Sequence, residues 1–307
     1  MTPRFLSPKD FVVDPASVNH SWTRDEALAY TRWVATGHYE NFHVVSFLLP
    51  KRLHQDFYNV YSFCRWADDL GDEIGDPAES LRLLGWWRSE TLGMFAGDCS
   101  HPVFIALSGT AARHELPPEP FLNLIRAFVQ DQTVTRYQTW DSLLDYCVYS
   151  ANPVGRLVLY LCGYRDPERQ ALSDSTCTAL QLANFFQDVS VDLEKGRIYL
   201  PAEVLGNYGV TFAQIEARQD SPGFRAAMAE SVAVARNLFY KGLPLARMVG
   251  GRLSLDLELF SRGGLKILDK IESQRYDVLG RRPKISKTER AGVLLSALLR
   301  WSLARVA

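Results

Sequence analysis

Asp68-Asp69-Leu70-Gly71-Asp72-Glu73 and Asp188-Val189-Ser190-Val191-Asp192 each place carboxylates four residues apart inside strongly helical patterning. Side chains at i and i+4 share a helix face, so each stretch stacks like charges, at about a few tenths of a kcal/mol per pair. Doing so twice predicts a compensating cation. Mg²⁺ suits the need, because it takes hard oxygen ligands, keeps several waters and joins one or two carboxylates to substrate phosphates. The expected chemistry is a metal-assisted grip on a diphosphate, with Asp68, Asp72, Asp188 and Asp192 as metal ligands.

The neighbours of these acids extend the pattern. Tyr61, Arg65, Asp68, Asp69 and Asp72 follow three-and-four spacing, and Arg65 lies one turn from Asp68 and Asp69. Read blandly, this is a solvated face carrying an Arg–Asp pair. In the second stretch Asn184, Asp188 and Asp192 sit at steps of four, so Asn184 adds a neutral oxygen ligand or a hydrogen-bond donor, with Gln187 beside it. Phe185 and Phe186 share that turn, and Leu180, Leu182, Val189 and Leu193 flank it. Acids set among aromatics predict a cavity wall rather than an open polar face. Lys195-Gly196-Arg197-Ile198-Tyr199-Leu200-Pro201 follows directly. Arg197 could hold a phosphate bidentately; the alternative is a helix C-terminal cation beside Gly196, stabilising by about 0.3–1 kcal/mol.

These side chains need helices to hold them. Apolar residues recur at i, i+3, i+4 and i+7 almost throughout, so the chain is expected to be all-α. Helices are predicted over Arg24–Thr36, Tyr39–Leu49, Lys51–Ile74, Ala78–Phe95, His101–Arg113, Pro118–Gln132, Ser142–Ala151, Val154–Gly163, Pro167–Leu193, Gly223–Gly242, Arg252–Tyr276 and Lys287–Ala304. Asp76-Pro77, Leu116-Pro117-Pro118, Asn152-Pro153, Asp166-Pro167 and Ser221-Pro222 mark the breaks, since a residue before proline disfavours the helical region. Residues 1–22 read as an irregular N-terminal segment, and Gly196 to Asp220 as a long irregular piece with a short helix around Pro201–Leu205. No flexible linker stands out, and residues 1–307 are expected to form a single domain.

Composition narrows the function classes. Hydrophobic residues are 47% and charged residues 22%, the balance of a soluble globular protein, and the net charge of −1 offers no general attraction to nucleic acid. Five cysteines, an odd number without a Cys-x-x-Cys pair, read as reduced core residues. The start lacks the apolar run of a secretory signal, and no window approaches eighteen uninterrupted apolar residues. A reducing cytoplasm is the expected location. Arg281, Arg282, Lys284 and Lys287 precede an apolar helix with Leu294, Leu295, Leu298, Leu299 and Trp301, a pattern for peripheral contact with the inner membrane or for a plain packed terminal helix. The oligomeric state is left open.

Tyr61-Ser62-Phe63-Cys64-Arg65-Trp66-Ala67-Asp68-Asp69-Leu70-Gly71-Asp72-Glu73, Asn184-Phe185-Phe186-Gln187-Asp188-Val189-Ser190-Val191-Asp192 and Gly196-Arg197-Ile198-Tyr199-Leu200-Pro201 together resemble the signatures of the squalene and phytoene synthase family. Ile267-Leu268-Asp269-Lys270-Ile271-Glu272 and Tyr276-Asp277-Val278 extend the likeness, which runs from roughly Thr23 to Lys287. The resemblance implies an all-helical isoprenoid synthase fold with a central cavity, Mg²⁺ and a prenyl diphosphate substrate.

Two further segments, Glu40-Asn41-Phe42-His43-Val44-Val45-Ser46-Phe47-Leu48-Leu49-Pro50 and Tyr146 to Arg156 with Ala151-Asn152-Pro153-Val154-Gly155, resemble the bacterial hydroxysqualene synthases of hopanoid biosynthesis. His43 departs from that branch, where proline is expected. The branch implies ionisation of presqualene diphosphate and capture of the cation by water, without NADPH. On this reading Arg65, Gln187, Arg197 and Tyr61 contact the diphosphate, Asn184 completes or orients the metal shell, and Asn152 places the water. Phe42, Phe47, Tyr146, Phe185, Phe186 and Phe260 offer π-faces to the cation, or else are plain core. Two other readings remain beside it: a head-to-head condensing prenyl synthase making presqualene diphosphate, squalene or phytoene, and a non-catalytic lipid-binding or assembly-factor relative, which would be expected to lose the acids.

Overall fold

The computed structural model describes residues 4–37 and 50–303, with the side chains of 299, 300, 302 and 303 left aside. Among the described residues the ordered elements are helices, and the sole strand-like pairing is an isolated parallel bridge between Arg136 and Ile198. The all-α class expected from the sequence is the one observed. The segment carrying Phe42, His43 and Phe47 lies outside the described residues.

The proline-marked breaks begin helices rather than merely ending them. Asp76, Asp166 and Ser221 each cap a helix by accepting a backbone N–H, and Pro77, Pro167 and Pro222 occupy its first turn, where the missing proline N–H costs nothing. Asn152-Pro153 behaves alike, since the helix there runs Asn152–Leu161 and starts earlier than expected. Thr139 and Ser142 form a reciprocal capping box that starts the next-door helix Trp140–Ser150. The N-terminal segment is less irregular than expected: Pro8–Phe11 and Pro15–Val18 each form one helical turn. Phe11 is buried and meets Trp66 edge-on at 5.2 Å, which gives that segment an apolar anchor. Four of the five cysteines are half-buried rather than core, and all five are free thiols.

Contacts divide the chain into two compact units, one made of residues up to Thr133 with Arg156–Arg165, the other of Val134–Gly155 with the residues from Asp166 onward. In the first unit the helices Arg24–Gly37, His54–Asp72 and Pro102–Arg113 pack on one another around a buried polar node. Asn59, 1% exposed, donates to the Ala106 carbonyl at 3.1 Å and to Thr110 Oγ1 at 2.9 Å, while its own oxygen accepts from Thr31 at 2.7 Å and Gln55 at 3.0 Å. Asp56, one turn earlier, accepts from Thr110 at 2.8 Å and Arg113 at 2.7 Å and lies 3.0 Å from His114 Nε2. Around this node the aromatic core includes Phe63, Trp66, Trp87, Phe104 and Phe121, with Trp66 stacked on Trp87 at 4.9 Å.

In the second unit Pro167–Gln187 packs against Pro222–Gly242 and Gly251–Ser273. The approach is close enough that a methyl group on Gly242 would collide with Thr176, and one on Gly264 with the Phe239 ring. The C-terminal helix Lys287–Leu303 lies against Gly251–Ser273, where the Trp301 indole donates to the Gly251 carbonyl at 3.1 Å; Leu294, Leu295 and Leu298 stay exposed. No helix among the described residues is long and apolar enough to cross a membrane.

Two outcomes follow for the first unit. Asn59→Ala leaves several buried partners unpaired and should lower stability by about 2–3 kcal/mol, read from urea denaturation; a loss well under about 1 kcal/mol would contradict the node. Burial pushes the Asp56 carboxyl up, but hydrogen bonds from Arg113, His114 and Thr110 outweigh it and hold the pKa below the usual value. A lowered native pKa adds stability above the unfolded value of about 3.9 and loses it as pH falls through the native one. The stability gap between wild type and Asp56→Asn should therefore be wide at pH 7 and narrow at pH 3.

Candidate active site

The first acidic stripe lies on His54–Asp72, whose opposite face is buried by Phe63, Trp66 and Leu70. Asp68 and Asp72 are half-buried, but Asp69 points inward and is only 4% exposed. Arg65 Nη2 reaches Asp69 Oδ1 at 2.5 Å and Arg65 Nη1 reaches Asp68 Oδ2 at 3.6 Å. Burial raises the Asp69 pKa, Arg65 opposes the rise, and Glu73 and Asp72 add to it. Asp69 thus anchors Arg65 beside the Asp68–Asp72 pair instead of serving as a further open ligand. Tyr61, one turn before Arg65, is half-buried on the same stripe, and burial raises its phenol pKa.

The second stripe is not one continuous helix as expected. Pro167–Gln187 ends at Asp188 (φ −103°, ψ 12°), a four-residue helix Val189–Asp192 follows, and a single 3₁₀ turn covers Leu193–Lys195. β-Branched Val189 and Val191 weaken the helix there, and Arg218 draws the Ser190 carbonyl outward with a hydrogen bond of 3.1 Å. The bend keeps Asp188 N–H on the Asn184 carbonyl at 2.9 Å and Asp192 N–H on the Asp188 carbonyl at 2.8 Å, so the stripe stays in register.

Within this second stripe Asn184 Nδ2 donates to Asp188 Oδ2 at 3.0 Å. Arg282, from the basic segment near the C-terminus, grips both Asp188 oxygens, Nε to Oδ1 at 2.5 Å and Nη2 to Oδ2 at 3.1 Å. Gln187 donates to the Pro283 carbonyl at 2.7 Å, which fixes the segment that carries Arg282. Burial and then the Asp188 charge push Asp192 up to about 7, against Arg197, Lys195 and Arg282. Gly196, in the left-handed region at φ 70°, turns the chain back so that the Arg197 N–H donates to the Asp192 carbonyl at 2.9 Å.

Behind the second stripe Phe185 stacks on Tyr199 at 3.6 Å, with Tyr146 6.2 Å from both and Tyr137 5.5 Å from Tyr146. Tyr146 and Phe185 were expected at such a wall; Tyr137 and Tyr199 complete it. Phe186 is fully buried core. Asn152 is 5% exposed and its side-chain oxygen accepts from Thr178 at 2.9 Å, so this amide braces the start of its helix. Arg282 is the residue that sequence reasoning missed, its basic segment being read as peripheral membrane contact or as a solvated loop before a packed terminal helix. Only its separation from Asp188 in the chain concealed the pairing.

Among the described residues no group of three or more His, Cys, Asp or Glu comes together as a ready-made metal cage. The donor sets present still fit Mg²⁺, which uses one or two carboxylates and fills its shell from water and phosphate. At Asp188 and Asp192 two carboxylates lie one turn apart, Asp188 holding the Arg282 guanidinium and Asp192 raised to about 7 by burial and then by the Asp188 charge.

Comparison with known proteins gives these stripes a setting. Residues 35–289 match the squalene/phytoene synthase family. The chain is 34% identical to phytoene synthase of Thermus thermophilus, covering 93% of this chain and 95% of that one. It is 32% identical to hydroxysqualene synthase of Rhodopseudomonas palustris, covering 76% and 80%. The crystal structure of squalene synthase HpnC from Alicyclobacillus acidocaldarius superposes with a TM-score of 0.79 at 46% identity, covering 82% of this chain and 95% of that one. The chain therefore belongs to the squalene/phytoene synthase family, isoprenoid synthases that act on prenyl diphosphates.

Proposed function

We propose that this enzyme ionises presqualene diphosphate in the presence of Mg²⁺ and lets water capture the cation, giving hydroxysqualene. The observation that carries the ionisation step is the half-buried Asp188–Asp192 pair with exposed Asn184 bonded to Asp188, its charge countered by Arg282, Arg197 and Lys195. Water capture is supported by the identity with hydroxysqualene synthase of Rhodopseudomonas palustris. Asp68 and Asp72 would hold Mg²⁺ on the first unit, and Asn184, Asp188 and Asp192 on the second. The ion supplies Lewis-acid neutralisation of the leaving diphosphate.

The chain's own groups do the rest. Arg65, held by Asp69, and Arg197, held close to Asp192 by its backbone, present guanidinium groups suited to phosphate oxygens. Tyr61 offers a phenolic hydroxyl on the same stripe as Arg65. The rings of Tyr137, Tyr146, Phe185 and Tyr199 provide π-faces that stabilise a desolvated cation by up to about 2 kcal/mol. No reductant enters this reaction, so NADPH is not required.

Incubation of presqualene diphosphate with Mg²⁺ in ¹⁸O-water, without NADPH, should release diphosphate and give an alcohol carrying the label. Asp68→Asn and Asp188→Asn should each cost on the order of a hundredfold or more in rate. The identity with phytoene synthase supports a second reading, head-to-head condensation. Formation of a condensed product from farnesyl or geranylgeranyl diphosphate, with no alcohol from presqualene diphosphate, would replace the first reading by that one.

Arg282 and Mg²⁺ would compete for Asp188. Arg282→Gln should lower stability without the metal by about 1 kcal/mol, the scale of a partly exposed ion pair, and enlarge the stabilisation that Mg²⁺ gives. Urea denaturation with and without Mg²⁺ reads both effects, and an identical Mg²⁺ response in the two proteins would show that no competition exists.

A further inference from the structure

The helix Gly251–Ser273 carries a buried acid that the diphosphate chemistry leaves unused. Asp256 is 2% exposed, and neither of its carboxyl oxygens has a hydrogen-bond partner. Buried polar side chains are almost always paired, and an orphan of this kind marks a place where a water or a ligand group belongs. Arg252, one turn earlier, attracts the charged form, and burial outweighs that attraction, raising the carboxyl to about 7. Such an acid can both accept and return a proton near neutral pH.

Its surroundings on the helix indicate what kind of site it serves. At 100° per residue Asp256 shares a face with Leu259, Phe260, Gly263 and Ile267. These four are half-buried, and a methyl group placed on Gly263 would meet no atom within 4 Å among the described residues. The opposite face carries Ser254, Glu258 and Arg262, which line a separate cavity with Trp301, and there the charges are satisfied: Arg262 pairs with Glu258 at 2.5 Å. One side of the helix is therefore an apolar stripe with space above its glycine and a single unpaired carboxyl at its buried end.

We propose that Asp256 is the base that receives the proton of the water that captures the carbocation. The inference rests on the water-capture reading given above. The water oxygen donates a lone pair to the cationic carbon and forms the C–O bond. The resulting oxonium passes one proton to the Asp256 carboxylate, which becomes the neutral acid, and the alcohol is left uncharged. Diphosphate has already departed with the electron pair of its C–O bond, nothing is oxidised or reduced, and Asp256 returns the proton to solvent as the product leaves.

The test measures alcohol formed per diphosphate released from presqualene diphosphate, for wild type, Asp256→Asn and Asp256→Glu. In Asp256→Asn the ratio should fall at least ~10-fold, with hydrocarbons from proton loss replacing the alcohol, while diphosphate release stays within about twofold. Asp256→Glu should recover part of the alcohol. Removing an orphaned buried acid should also leave the thermal midpoint of Asp256→Asn at or above that of wild type, and Asp256→Leu repeats the measurement if the amide is not tolerated. An unchanged ratio in Asp256→Asn, or an equal fall of alcohol and diphosphate release, overturns the base while leaving the water-capture reading standing. Wild-type enzyme that releases diphosphate and makes no alcohol overturns both.

Discussion

Carboxylates stacked one helical turn apart on a half-buried surface repel one another, and the protein can keep them only by bringing a cation within reach. Both units meet this constraint with an arginine. Arg65 reaches one turn further along its own helix to Asp69 and also lies 3.6 Å from Asp68, beside Asp72. Arg282 comes from a distant segment to clamp Asp188, and Gln187 holds that segment through the Pro283 carbonyl. Each arrangement leaves a carboxylate pair with positive charge at one edge, a geometry that receives a hard cation and an anionic leaving group. Burial, and after it the Asp188 charge, raises the pKa of Asp192 even with the arginine in place.

The supporting structure follows from keeping those stripes fixed. In the first unit the Asn59 and Asp56 network ties the acidic helix to two others through side chains that have no solvent alternative, so the turn bearing Arg65 and Asp68 cannot slide. In the second unit glycine contacts bring the helices close at Thr176 and at Phe239. The stacked rings of Phe185 and Tyr199 then give the acidic stripe an apolar, π-rich backing. Phe185, at the end of its helix, and Asp188, just past that end, thus set an apolar ring beside an acidic side chain.

Much of this was legible in the chain. Helix positions followed from apolar periodicity and from Asp-Pro and Ser-Pro pairs, because capping and the first-turn tolerance of proline are local effects. The Asp68–Asp72 stripe was legible for the same reason. The break at Asp188 was not, since the spacing Asn184–Asp188–Asp192 is identical in a straight helix and in one bent by an outside guanidinium. Arg282 read as a surface cation because nothing nearby in sequence records its partner. Tyr137 and Tyr199 were hidden likewise: their neighbours in the ring cluster, Tyr146 and Phe185, come from other segments. Asn152 was read as placing water, and its bond from Thr178 to the side-chain oxygen could not be read from the chain.

The sequence by itself determined the helical class, the two acidic stripes and the family, because each depends on residue types at short, fixed spacing. Tertiary structure alone decided which charges are paired, which aromatics share a wall and which acid is buried without a partner. Those properties depend on what approaches a side chain from elsewhere in the fold, and burial, not residue type, sets the proton affinity of Asp192 and Asp256.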